Sequence, residues 1–167
     1  MMIKINVEVP VYPTEDEEKV LEALHNIFPY DASNIQKKPG KEEITLLHDE
    51  DILYDVDREV LSLELEGAKP LMRMYELLRQ FYIVETARSV FFSSKRVMDE
   101  SVSRVSFSLN KQAALAGKLH FCGENESPLG SIDVIIESDA LDHLINWLAP
   151  PTKDGIVLEP IHDELPF

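Results

Sequence analysis

One cysteine (Cys122), six glycines and one tryptophan in 167 residues, with 16 Lys and Arg against 31 Asp and Glu, are the shortages of this chain. Each excludes something. A single thiol rules out an internal disulfide and any multi-cysteine zinc site. Few glycines leave few places where backbone could wrap a phosphate closely, and no Walker loop, dinucleotide fingerprint or nucleophile elbow occurs. There is no apolar run long enough for a membrane span and no basic-then-apolar leader, so a cytoplasmic location without membrane contact is expected. The five histidines show no nucleophile and carboxylate arranged as a triad, and a non-catalytic protein without cofactor or metal is expected. His120 and Cys122 lie two apart on one expected strand, but zinc needs further ligands and a chance pair is the simpler reading.

What is present is the material of a core. Hydrophobic residues at 44% and charged residues at 28% are ordinary for a soluble globular protein, and this length fits one domain. A single domain over 1–155 followed by an acidic and apolar tail, 156–167, is expected. The net charge of −15 argues against a generic polyanion binder. That total is unevenly spread: residues 1–68 carry −11, residues 69–118 carry +5, and residues 119–167 carry −9. Either the blocks neutralise one another by packing, which is the plainer reading, or the middle block forms one basic face on an acidic body.

Hydrophobic periodicity supplies the elements. Ile3, Ile5, Val7 and Val9 alternate with polar residues as a half-buried strand over 2–9. Thr14 to Glu17 reads as a capping box, and Val20, Leu21, Leu24, Ile27 and Phe28 mark the buried face of the helix it opens. Residues 30–42 read as a polar loop, 44–48 as a short strand, "HDEDILYDVD" as a solvated acidic loop, and 59–66 as a clearer strand. Leu71, Met74, Leu78 and Phe81 stripe a helix over 71–82, and a second follows over 83–96. On its outer side Arg88, Phe92 and Lys95 group at helical spacing, with Arg96 at the margin. Phe92 there either stacks on a base or an aromatic partner or tucks beneath a neighbouring loop. Strands are expected over 103–109, 115–122 and 130–137, the first two joined by a bend at Asn110-Lys111-Gln112. Ser138 or Asp139 caps a last helix with Leu141, Leu144, Ile145 and Leu148 inward. The expectation is an α+β fold with a mostly antiparallel sheet of about six strands and three to four helices.

Five segments in order, "VPVYPTEDEEKVLEALHNIFP", "IVETAR", "FSLNKQAALAGKLHF", "LGSIDVII" and "INWLAPPTKDG", resemble the archaeal uncharacterised protein family UPF0201. The resemblance covers nearly the whole chain to about residue 155. It implies an α+β fold like that of ribosomal protein L-five and a link to a group labelled RNA-binding, with no assigned catalytic residues.

Two functions follow. In the first, the protein binds structured RNA: Arg104, Lys111 and Lys118 contact phosphate, Asn110 and Gln112 reach sugar or base edges, and Phe92 stacks beside Arg88 and Lys95. In the second, it is an interaction protein, a homodimer or a module for another protein partner, using strand edges and the apolar tail residues Val157, Leu158, Ile161, Leu165 and Phe167. A third arrangement joins them, with the acidic tail masking the basic block.

Overall fold

A computed structural model describes residues 1–45, 53–123, 129–154 and 156–158. The chain runs β1 (Ile3–Val11), α1 (Glu17–Ile27), β2 (Ile35–Thr45), β3 (Leu53–Glu66), α2 (Met72–Gln80), α3 (Val84–Ser94), β4 (Arg96–Val97), β5 (Ser103–Leu109), α4 (Lys111–Leu115), β6 (Phe121–Cys122), β7 (Ile132–Ser138), α5 (Leu141–Leu148) and the small hairpin β8 (Thr152–Lys153) and β9 (Ile156–Val157). Among the described residues this gives a seven-stranded sheet ordered β2-β3-β1-β7-β5-β4, with β6 also on β5. Every pairing in it is antiparallel. The protein is therefore α+β, as periodicity indicates, with five α-helices among the described residues.

The sheet has one dry face and one wet one. Side chains alternate across a strand, so Ile3, Ile5, Val7 and Val9 turn inward and meet Leu61, Leu63, Val134, Ile136, Val105 and Phe107 from the neighbouring strands. Onto that layer fold the apolar stripes of the helices: Val20, Leu24 and Ile27 of α1, Met74, Leu77 and Leu78 of α2, Ala87 and Phe91 of α3, Leu144, Ile145 and Leu148 of α5. The opposite row of β1, β5 and β7 carries Lys4, Glu8, Ser106 and Asp133, all exposed. The flank of α3 shares a groove with this row.

Five expectations are corrected. The expected loop 30–42 becomes a strand from residue 35 on: β2 pairs with β3 from Ile35↔Leu63 to Thr45↔Leu53. Pro39 is tolerated because β2 is an edge strand, where one side of the backbone needs no partner. Likewise β3 begins at Leu53 rather than at 59, and the start of "HDEDILYDVD" lies outside the described residues. The helix α1 is capped by Asp16, whose side chain accepts from the Glu18 N–H at 3.0 Å, not by Thr14. Finally, Asn110-Lys111-Gln112 is no hairpin bend. Asn110 caps α4 by accepting from the Ala113 N–H at 2.9 Å, and only Phe121–Cys122 of the expected strand 115–122 pairs with β5. At the other end, Ala140 takes the cap position of α5 while Ser138 accepts its N–H at 3.1 Å and Asp139 accepts from Met2 N at 2.9 Å.

The hairpin β8–β9 straddles residue 155, and Val157 packs against the core while Ile156 and Leu158 stay exposed. Residues Ile161, Leu165 and Phe167 lie outside the described residues. Among those described, no helix is long and apolar enough to cross a membrane.

Candidate functional site

The basic middle of the chain is mostly consumed by the fold. An α-helix leaves its last carbonyls without intrahelical donors and gathers partial negative charge there. Pro150 and Pro151 prevent α5 from continuing, so its end must be satisfied from outside. Two arginines do this. Arg79 donates from Nη1 to Tyr75 O (3.0 Å) and Leu148 O (3.1 Å), and from Nη2 to Trp147 O (3.3 Å). Its guanidinium lies 3.4 Å from the Tyr75 ring centroid, and that ring stacks on Trp147 at 5.0 Å. Burial pushes the Arg79 pKa down, with Tyr75 opposing the shift. Arg88 donates to Asn146 Oδ1 (2.8 Å) and Ala149 O (3.1 Å).

Other cations meet acids from the flanks. Lys95 pairs with Asp142 at 2.5 Å. Arg104 contacts Glu137 Oε1 from Nε at 3.0 Å and from Nη2 at 2.5 Å, its cross-strand neighbour on β7. Arg73 meets an acid of its own block, Glu76, one turn along α2. Packing of oppositely charged blocks, rather than one large basic face, accounts for the charge pattern.

Lys111 is the plainest reassignment. Expected on a solvent-facing bend, it is 7% exposed. Its Nζ donates to Pro10 O (2.5 Å), Leu129 O (2.6 Å) and Glu15 Oε1 (2.9 Å), with the Tyr12 ring centroid 5.5 Å away. Three oxygens match the three protons of an ammonium. Burial lowers the Lys111 pKa, and the Glu15 carboxylate acts the other way. This amine ties the end of β1, the start of α1 and the turn before β7 to α4. It cannot reach a phosphate without leaving all three partners, so it is a strut and not a contact.

Of the remaining expected residues, Gln112 and Lys118 are exposed beside α4, and Asn110 is spent as its cap. Phe92 is 39% exposed, with the Arg88 guanidinium 4.7 Å from its ring centroid. That answers the question left open for it: the ring is neither sealed under a loop nor free, but half-covered by a cation. Arg88 and Phe92 lie together on α3, Lys95 caps its C-terminal end, and the chain then passes into β4, where Arg96 faces Arg104 directly. Like charges opposed across a strand pair are destabilising, so this pair concentrates positive charge where the sheet ends. Arg88 and Lys95 thus turn toward α5, while Arg96 and Arg104 sit side by side where β4 meets β5. Asn110, Gln112 and Lys118 lie at the far end of β5 and do not join them.

Tyr82 was missed from the sequence. It is 88% exposed and holds φ of 56°, a left-handed conformation rare for a bulky residue, at the turn between α2 and α3. Only its place in a short link between two helical stripes could have marked it.

A family model described as RNA binding matches residues 4–138. A UPF0201 protein of Thermococcus kodakarensis is 36% identical over 160 residues, covering 93% of this chain and 96% of its own length. Another, from Sulfurisphaera tokodaii, is 35% identical over 158 residues and covers 94% of each. Among solved structures, the UPF0201 protein of Methanococcus jannaschii superimposes with a TM-score of 0.65 at 28% identity, over 93% of this chain and 99% of that one.

Proposed function

Because this chain belongs to the UPF0201 family, we propose that it is a non-catalytic RNA-binding protein whose contact surface is the strip running from α3 through β4 to β5. The observation that carries this reading, beside the family description of RNA binding over residues 4–138, is the cross-strand pair Arg96 and Arg104 next to Lys95. Lys95, Arg96 and Arg104 meet phosphate, and Arg88 with Phe92 offers a face on which a base stacks. Gln112 and Lys118 supply outlying polar contacts past the end of β5.

The electrostatics set the strength. Lys95 and Arg104 are already paired with Asp142 and Glu137, so phosphate must displace or share these acids. Both pairs keep access to solvent; surface pairs are held by about 1 kcal/mol or less, the half-buried Arg104–Glu137 pair more firmly than Lys95–Asp142. Binding is therefore modest, and it opposes a chain of net charge −15.

This gives an unusual test. Removing the competing acids should improve binding. Glu137→Gln and Asp142→Asn are expected to tighten a short single-stranded RNA by about threefold each at low salt, roughly 0.7 kcal/mol. Glu22→Gln on exposed α1 removes the same charge without releasing a cation and is the control. Filter binding reads all three. Equal tightening in the control, or no retention of RNA by the wild type, overturns the proposal.

A further inference from the structure

A groove of about 840 Å³ is lined by the wet row of the sheet on one side and by the flank of α3 on the other. The wet row brings Glu8, Ser106, Ser108, Asp133 and the apolar Ile135; the α3 side brings Val90, Ser93 and Ser94, with Phe107 and Phe121 beside them. Two cross-strand rows build the sheet side. Glu8 faces Asp133 and Asp133 faces Ser108 in one; Ile135 faces Ser106 in the next. Arg58 and Tyr12 stand at one end. Lys111 braces that end from behind, through the carbonyls of Pro10 and Leu129.

Away from the Arg58 and Tyr12 end, the hydrogen-bond arithmetic favours acceptors. A hydroxyl has one proton to give and lone pairs to spare. Ser108 and Ser131 both donate to Asp133 Oδ1, at 2.7 and 2.8 Å. Ser93 donates to Val90 O at 3.0 Å and Ser94 to Phe91 O at 3.3 Å. These four serines therefore present only acceptor oxygens to the groove, alongside the carboxylates. Glu8 and Asp133 are also directly opposed across β1 and β7, an arrangement that costs stability. Beside Glu8 and Asp133 an arriving phosphate or carboxylate would add more acceptors and more negative charge, and only the Arg58 end offers it a cation. The groove instead suits a ligand with paired O–H donors and an apolar face.

We propose that the groove binds the ribose of a ribonucleoside by its 2′,3′-cis-diol, with Asp133 and Glu8 accepting from the hydroxyls and Ile135, on the same face, carrying the C–H side of the sugar. This deepens the RNA reading and rests on it for the source of the sugar, the 3′-terminal nucleoside of an RNA. Arg104 and Ser106 lie two residues apart on the same face of β5, about 7 Å, so a phosphate on the cationic strip and a sugar in the groove are neighbours. A free ribonucleoside carries the same diol and is the other source to be separated.

The full chain is titrated calorimetrically with adenosine, with 2′-deoxyadenosine, and with one short RNA ending either in the natural diol or in a 2′,3′-dideoxynucleoside. Adenosine should bind about tenfold tighter than its deoxy analogue, and the diol-ended RNA about tenfold tighter than the dideoxy-ended one. Both preferences should vanish in Asp133→Asn, with Ser106→Ala as a second variant outside the Asp133 hydrogen bonds. Preference for adenosine alone, with no RNA binding, keeps the groove as a free-nucleoside site and refutes the RNA reading. RNA binding that ignores the 3′ end and is equal in Asp133→Asn overturns the groove and leaves the RNA reading standing. A response to spermidine without diol selectivity would show a cation site instead and also overturns the proposal.

Discussion

Replacing Lys111 by methionine removes an ammonium while keeping an unbranched side chain of similar length. The side chains of Lys111 and Glu15 are 8% and 12% exposed, so the carboxylate left behind is nearly dry. It keeps the Tyr12 N–H at 3.1 Å, while Pro10 O and Leu129 O lose the donor they share. Breaking one side of a buried ion pair costs about 3–5 kcal/mol. For a domain of this size that lowers Tm by roughly 6–20 °C, at about 2–4 °C per kcal/mol. The double variant Glu15→Gln/Lys111→Met removes both charges and should recover a substantial part of the loss. Urea and thermal unfolding followed by circular dichroism read these values. A loss below about 1 kcal/mol would show an ordinary exposed pair and refute the strut.

The pH dependence has a fixed sign. The folded Lys111 pKa lies below its usual 10.5, so the unfolded chain holds the proton more tightly. Stability from this group therefore rises as pH climbs through the window just below 10.5, and Lys111→Met should lack that rise. A wild type and variant with parallel alkaline profiles would contradict the assignment. Where it folds, the variant should also bind RNA within about twofold of the wild type, because strut and contact are different roles.

Two backbone predictions probe the surrounding frame. Gly130 has φ of 76°, and a Cβ there would sit 2.6 Å from Pro10 Cγ, so Gly130→Ala should cost about 2 kcal/mol or more, read as a lower urea midpoint. An unchanged midpoint would mean that the turn before β7 yields freely. Tyr82 holds φ of 56° and is 88% exposed, so Tyr82→Gly relieves backbone strain while losing almost no packing, and Tm should hold or rise by the equivalent of up to about 1 kcal/mol. A clear fall in Tm would reveal a stabilising contact for the ring.

Elements with a sustained period were legible before any coordinates. The alternation in β1, β5 and β7 and the stripes of α1, α2, α3 and α5 are carried by residues whose neighbours in sequence are their neighbours on a face. Edge features were not. Lys37, Lys38, Pro39 and Gly40 have loop chemistry, yet the same residues are how an outermost strand protects itself from further pairing. The segment from Lys111 to Leu115 spans little more than one helical turn, too short for a period to show, and its small residues read equally well as strand. The strut was invisible for another reason. Pro10 lies 101 residues from Lys111 and Glu15 lies 96 away, so the amine's fate depends on how distant segments meet. The charge blocks signalled that neutralisation would occur; they could not say that Arg79 and Arg88 would spend theirs on the end of α5.

The central claim, that Lys95, Arg96 and Arg104 hold RNA phosphates, is tested most directly by the salt dependence of binding. Three phosphate contacts to a single strand predict a slope of log Kobs against log[salt] of about −2. Arg96→Ala/Arg104→Ala removes two of them and should flatten the slope to about −0.7. A slope left unchanged in the double variant, or no RNA binding even at the lowest salt, would contradict the account.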